Sequence, residues 1–232
     1  MKEPASTVKV YSSGRSSRPY GTIAMCVRDH VNAATFMSAL HNDWTWLRER
    51  GASEQVINWL VVQGSMLPLQ RNECLKQMDG EWILFIDDDM TWDPEAIGKL
   101  VASWEELQGR FDEPVIVGGL CHRREPPHDP TMYARDGRYE GKYRFMETWV
   151  GDVVEVDATG LAFALIPVSA IEAIMGTEFP NKETRMLYQS PPIFEWTAHM
   201  GEDLRFMQQA KAAGCRIFVD TRIKIGHVAE LQ

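Results

Sequence analysis

The chain alternates short apolar runs with stripes of apolar residues at helical spacing. YGTIAMCV, from Tyr20 to Val27, is nearly unbroken in its apolarity and predicts a short buried strand. Phe36, Leu40, Trp44 and Leu47 follow at spacings of 4, 4 and 3, the stripe of an amphipathic helix, with Gly51 placed to close it. VINWLVV, from Val56 to Val62, predicts a second buried strand. The loop QGSML leads from it into a helix beginning near Pro68, where a proline suits the first turn. A third strand spans Trp82 to Ile86. Asp93 then reads as an N-cap and Pro94 as the first residue of a helix striped by Ile97, Leu100, Val101, Trp104 and Leu107. Pro114 to Val117 makes a fourth strand.

Strand and helix in strict alternation predict a mostly parallel central sheet with helices on both faces, an α/β architecture. Ligands in such sheets bind at the carboxyl ends of the strands. Beyond Leu120 the texture turns polar and irregular, predicting a long loop or small excursion over residues 121–144. GDVVEVDATGLAFALIPVSAI then supplies two candidate strands around Thr159 and Gly160 and a helix opening at Pro167. Pro180 to Met200 reads as loop. A helix from about Gly201 to Ala213, capped by Gly214, precedes a strand from Arg216 to Val219 and the closing IKIGHV. Residues 1–19, rich in Ser, Arg, Gly and Pro, read as a flexible tail that needs no packed element, and residues 20–232 as one domain.

The net charge of −9 argues against a surface that tracks nucleic acid or anionic lipid as a whole. The stretch from His122 to Arg144 departs from it, with six Arg and Lys against four Asp and Glu, and reads either as a solvated loop or as a lid that contacts anions. Cys26, Cys74, Cys121 and Cys215 lie far apart with no C-x-x-C pair, which predicts reduced core cysteines. The sequence contains no signal-type apolar segment and nothing near the roughly 18 apolar residues of a membrane span, so a cytoplasmic protein without membrane contact is expected.

The third strand runs directly into Asp87, Asp88 and Asp89. Three adjacent carboxylates repel one another, and capping the next helix does not require them once Asp93 fills that role. A hard divalent cation, Mg²⁺ or Mn²⁺, resolves the repulsion because it takes oxygen ligands and bridges carboxylates to substrate phosphates. A second acidic pair, Glu202 and Asp203, opens the last helix. Acidic residues there are favoured by the helix dipole, and a carboxylate in that position facing the strand ends can also act as a general base. His227 stands alone after a short apolar run, either a plain surface or core histidine or a metal ligand.

In their order along the chain, RNECLKQMDGEWILFIDDDMTWDPEAIGKL, DATGLAFALIPVSAI and GEDLRFMQQAKAAGCRIFVDTRIKIGHV resemble a GT-A-type, metal-dependent, sugar-nucleotide glycosyltransferase over roughly residues 20–228. The resemblance implies a single Rossmann-like GT-A domain with a small accessory region on the acceptor side. It implies a nucleoside-diphosphate sugar as donor, with Asp87 and Asp88 against its ribose or base and Arg28 and Arg71 touching nucleotide or diphosphate. Asp89 and His227 are then the protein ligands of Mn²⁺ or Mg²⁺, and Asp203, with Glu202 beside it, is the candidate catalytic base. VRDHVN stands where the family's commonest pattern has a proline-threonine-asparagine type of loop, which bears most directly on Arg28. The acceptor stays open among a glycan, a protein hydroxyl, a small molecule and a modified DNA base, and no feature of the sequence assigns an oligomeric state.

Two other readings compete. Asp87-x-Asp89-x-Thr91 after an apolar strand also matches the first motif of the haloacid dehalogenase group, in which Asp87 would be a nucleophile and Asp89 its acid/base. That motif normally opens its domain, whereas two strand-helix units precede it here. A non-catalytic sugar-nucleotide-binding module would keep the same fold without the chemistry.

Overall fold

The computed structural model describes residues 7–10, 19–50, 57–136, 142–180 and 192–228. Its centre is an eight-stranded sheet. The first half is built by β2 (Gly21–Val27), α1 (Ala33–Arg50), β3 (Ile57–Gln63), α2 (Leu67–Gln77) and β4 (Trp82–Asp87), the alternation that lays β3, β2 and β4 side by side and parallel. After the short β5 (Met90–Thr91) and α3 (Ala96–Gln108), β6 (Val115–Leu120) begins the second half.

A small three-stranded sheet stands apart, formed by β7 (Met132–Arg135), β8 (Tyr143–Phe145) and β10 (Ala158–Thr159), while β9 (Val153–Glu155) joins the edge of the main sheet. β11 (Phe163–Pro167) runs antiparallel between β4 and β6 and so connects the two halves. The helices α4 (Val168–Met175) and α5 (Glu202–Ala212) follow it, then β12 (Arg216–Lys224), parallel to β6, and β13 (Gly226–His227), which pairs antiparallel with β5. Five strands of the large sheet, β2, β3, β4, β6 and β12, share one direction. Their carboxyl ends therefore lie along one edge.

Alternating side chains feed two cores, as the pleat requires. On one face Ala24, Leu60, Phe85, Ile116, Ala164 and Ile217 pack under α2, α4 and α5. On the other Ile23, Met25, Leu84, Val117 and Leu165 pack with Trp46 of α1 and with Ile97, Leu100, Val101 and Trp104 of α3. Gly80 marks a close approach at the foot of the sheet. Its φ is +100°, and a Cβ there would fall 2.7 Å from the Gly21 backbone.

The predicted α/β sheet, its helices and the strand order through β6 are all present. Several local expectations are corrected. The N-terminal segment, expected to need no packed element, contributes β1 (Thr7–Val10), antiparallel to β3; residues 1–6 and 11–18 lie outside the described residues. In α1 the apolar stripe faces outward, with Phe36, Leu40 and Trp44 at 54%, 47% and 73% exposure, while Thr35, Asn42 and Trp46 are buried. Polar tethers set this rotation: Trp92 N donates to Ser38 Oγ at 3.3 Å, and Trp59 Nε1 donates to Asp43 Oδ1 at 2.8 Å. Leu47 and Gly51 fall where side chain or backbone is outside the described residues.

Asp93 is not the N-cap of α3. The helix begins at Ala96 after Glu95, and Asp93 offers only its backbone carbonyl, to Ala96 N at 2.9 Å. The aspartates stay clear of capping for a better reason: β4 passes into β5, and no helix starts at Asp87–Asp89. The irregular stretch after Leu120 contains β7 and β8, and the region around Thr159 holds three strands rather than two.

Candidate active site

A cleft of about 510 Å³ opens along the edge where the parallel strands end. Arg28, Asp29 and His30 enter from the end of β2, Gly64 and Ser65 from the end of β3, Asp87–Asp89 from β4, Arg124 from the loop after β6 and Trp196 from the segment before α5. The topology thus gathers five separate chain segments at one place. This is the location that the strand pattern predicts for a ligand.

Each aspartate has a different partner. Asp87 Oδ1 accepts from Arg71 Nη2 at 3.3 Å. Asp88 Oδ2 accepts from the backbone N–H of Arg28 at 3.3 Å, and its carbonyl accepts from Asn32 N at 3.1 Å. Burial pushes the Asp88 carboxyl above its ordinary value against that N–H, and the Asp87 charge adds to the rise. Asp89 forms an ion pair with Arg124.

The C-terminal ladder brings His227 to this cluster. His227 lies opposite Met90 in the β5–β13 pairing, and Val228 N donates to the Asp89 carbonyl at 2.8 Å. Burial, with the Arg124 charge second, lowers the His227 pKa although Asp87 opposes both. The neutral imidazole is the form that ligates metals. Among the described residues no group of three or more His, Cys, Asp and Glu side chains converges on one point. Asp89 and His227 would hold a divalent cation only with further ligands from outside the protein, and not as a cage of protein groups alone.

Arg71 is nearly sealed, its side chain 3% exposed. It donates through Nη1 to Glu202 Oε1 at 2.8 Å, and its guanidinium lies 5.6 Å from the Phe85 ring centroid. The second Glu202 oxygen accepts the indole N–H of Trp196 at 2.7 Å. Both oxygens of Glu202 are thus engaged, and Asp87, Arg71, Glu202 and Trp196 form one continuous polar chain beneath the cleft. Asp203, the neighbouring carboxylate, accepts from Leu204 N at 2.7 Å. Burial raises its pKa against the lowering charge of Arg71, with Glu202 adding to the rise. Tyr133 of the small sheet is close enough to feel the Asp203 charge, though burial is the main reason its pKa is pushed up to about 12.

The fold therefore brings Arg28, Arg71, Asp87, Asp88, Asp89 and His227 to one region, with Glu202 joined to it through Arg71. Asn72 is a positioning residue that pattern reading passes over. Its Oδ1 accepts from Ile193 N and Phe194 N at 2.9 and 3.1 Å, and its Nδ2 donates to Phe194 O at 2.7 Å, which anchors the segment carrying Trp196 to α2. The only signal for it in the sequence is its place directly after Arg71.

Residues 62–158 match the family model described as Glycosyl transferase family 2. That segment runs from the end of β3 into β10 and contains Asp87–Asp89 and Arg124. No curated protein sequence matches the chain. Among solved structures, "Crystal Structure of A197 from STIV" aligns at 16% identity over 90% of this chain and 85% of that one, with a TM-score of 0.54. "Structure of the inositol-1-phosphate CTP transferase from T. maritima" aligns at 11% identity over 96% and 92%, with a TM-score of 0.43.

The resemblance to a GT-A-type glycosyltransferase is borne out by the matching segment and by a GT-A-like α/β fold. The family match spans residues 62–158, and the likeness to A197 is one of fold. Among the described residues no helix is long and apolar enough to cross a membrane.

Proposed function

We propose that the protein is a glycosyltransferase that moves a sugar from a nucleoside-diphosphate sugar to a hydroxyl acceptor with the help of Mn²⁺ or Mg²⁺. The observation that carries this reading is the β5–β13 ladder, which sets His227 opposite Met90 and pairs Val228 N with the Asp89 carbonyl although the two segments are far apart in sequence. A pairing that delivers an imidazole held neutral to an aspartate cluster at the strand ends serves a cation shared with a substrate phosphate. When bound, such a cation neutralises the charge that builds on the departing diphosphate.

In this reading Asp89 and His227 are the protein ligands, and Asp88, Arg28 and the segment from Asp29 to Asn32 form the nucleoside side of the cleft. Arg71 holds Asp87 from below rather than reaching the diphosphate itself, because it is buried and already committed to two carboxylates. Asp203 is the base that takes the acceptor's proton. Glu202 positions Trp196 and Arg71, since neither of its oxygens is free to take a proton without losing a partner. Trp196, half exposed at the cleft wall, offers an aromatic face for a sugar ring.

The direct test is a thermal-stability screen of nucleoside-diphosphate sugars with and without Mn²⁺, since a ligand that binds only the folded state raises its apparent stability. A donor that stabilises only with Mn²⁺ present, and that is turned over when hydroxyl acceptors are added, supports the assignment. Activity that survives exhaustive chelation refutes the metal; failure of every sugar nucleotide to bind refutes the donor.

A further inference from the structure

Arg124 differs from the other partners of the three aspartates. Arg71 is 3% exposed and tied to two carboxylates, and Asp88 is met by a backbone N–H, which carries no charge to pass on. The Arg124 side chain is 62% exposed and pairs with Asp89 from across the cleft. An exposed ion pair of this kind is weak and open to exchange.

The segment that carries Arg124 is braced. Between Cys121 and Thr131 it is closed by Arg123 N to Asp129 O at 2.8 Å, His128 N to Glu125 O at 2.9 Å and Thr131 N to Cys121 O at 2.9 Å. The neighbouring Arg123 guanidinium rests 5.6 Å from the Phe145 ring centroid of β8. The backbone thus has a fixed seat while the Arg124 side chain retains its reach. Asp89, its partner, directly precedes Met90, which lies opposite His227 in the β5–β13 ladder.

We propose that Arg124 is a tethered cation: it holds Asp89 in the unliganded protein, yields that carboxylate to the divalent cation when donor binds, and passes its guanidinium to the donor's diphosphate. This rests on the glycosyltransferase reading given above and adds a positioning residue to it. A guanidinium matches the paired oxygens of a diphosphate as well as it matches a carboxylate, so the exchange conserves its hydrogen bonding. The three aspartates then never stand without positive charge nearby, and the cation site is opened by the same ligand that completes it.

The test is Mn²⁺ titration followed by electron paramagnetic resonance, on the full chain as wild type, Arg124→Gln and Arg124→Lys, together with affinities for UDP, GDP, CDP and ADP at saturating Mn²⁺. The proposal expects Arg124→Gln to bind Mn²⁺ alone about two- to fivefold more tightly than wild type, the range set by losing a weak competitor. It also expects that variant to bind the preferred diphosphate about tenfold more weakly, the cost of one charge-assisted contact. Arg124→Lys, which keeps the charge, stays near wild type for Mn²⁺ alone. In an Asp89→Asn background the Arg124→Gln change leaves Mn²⁺ binding unaltered. Equal or weaker Mn²⁺ binding by Arg124→Gln overturns the proposal, as does an unchanged diphosphate affinity. If Mn²⁺-dependent diphosphate binding persists in those cases, the glycosyltransferase reading stands without the exchange; if no protein binds Mn²⁺ with any diphosphate, both fall.

Discussion

Arg71 of α2 and Glu202 of α5 are separated by 131 residues in sequence and by 2.8 Å in the fold. The pair is almost closed to solvent, and Arg71 also serves Asp87. Breaking a buried ion pair by removing one partner leaves the other charge uncompensated, at about 3–5 kcal/mol. Arg71→Met is therefore expected to lower the melting temperature by on the order of 10 °C. Scanning calorimetry checks it; a change within a degree or two would show that the network carries no stability.

Asp203→Asn is expected to leave donor binding intact and to lower turnover by about 10²- to 10⁴-fold, the usual contribution of a general base. Glu202→Gln should reduce both stability and turnover, because it weakens the hold on Arg71 and Trp196. Steady-state kinetics beside donor titration separates the two effects.

The pH profile carries the same assignment. A base must be ionised, and burial raises the Asp203 pKa above the ordinary aspartate value. The acid limb of kcat/KM should consequently lie at higher pH than an exposed aspartate would give, with activity lost as pH falls through that raised value. The limb should vanish in the residual activity of Asp203→Asn. A limb unaltered in that variant assigns the titration to another group.

Asp89→Ala and His227→Ala should each weaken Mn²⁺-dependent donor binding, because the proposed function makes each a protein ligand of the cation. Isothermal titration with and without Mn²⁺ checks this, and the loss should be confined to the Mn²⁺-dependent part of the affinity. Equal losses without the metal would mean that the residues contact the donor directly.

Trp196→Phe keeps an aromatic face but forfeits the bond to Glu202 Oε2. Leaving that oxygen without its donor is expected to cost about 1–3 kcal/mol. Trp196→Ala loses the face as well, so its acceptor KM should rise further than that of Trp196→Phe. Similar KM values for the two variants would remove the stacking role.

Much of the architecture is legible because the strands are buried on both faces. Tyr20–Val27 and Trp82–Ile86 form unbroken apolar runs, whereas a strand with one face in water would alternate apolar and polar positions. α1 departs from its pattern because its most apolar residues face outward while Ser38 and Asp43 fix its rotation through polar bonds that periodicity does not register. The apolar run predicts that β12 stops at Val219, where the polar triplet Asp220-Thr221-Arg222 begins. It continues because Asp220, 1% exposed, is satisfied by Arg222 at 2.7 Å, which allows a carboxylate inside a strand.

Within the candidate site, the aspartates stand out by number and position. Arg71 is expected against the nucleotide, since nothing local in RNECLKQ reveals an anchor more than a hundred residues away. Trp196 lines the cleft wall, and its bond to Glu202, only six residues on, is a local contact that no periodicity marks. Contacts that depend on two distant elements meeting leave no periodic trace in either.

Among the described residues β11 is the only strand that touches both halves of the large sheet, pairing Phe163–Pro167 with Ile86–Trp82 on one side and Ala164–Leu165 with Gly118–Val117 on the other. Just before it, the Ala162 carbonyl accepts the backbone N–H of Asp87 at 3.1 Å. The seam of the sheet thus runs directly into Asp87, the first of the aspartates that line the cleft. The two halves of the sheet accordingly cannot come apart as separately melting units: the aspartate cluster and global cooperativity should fail together on heating, and an isolated N-terminal half would lack the closing strand that holds its aspartates in place.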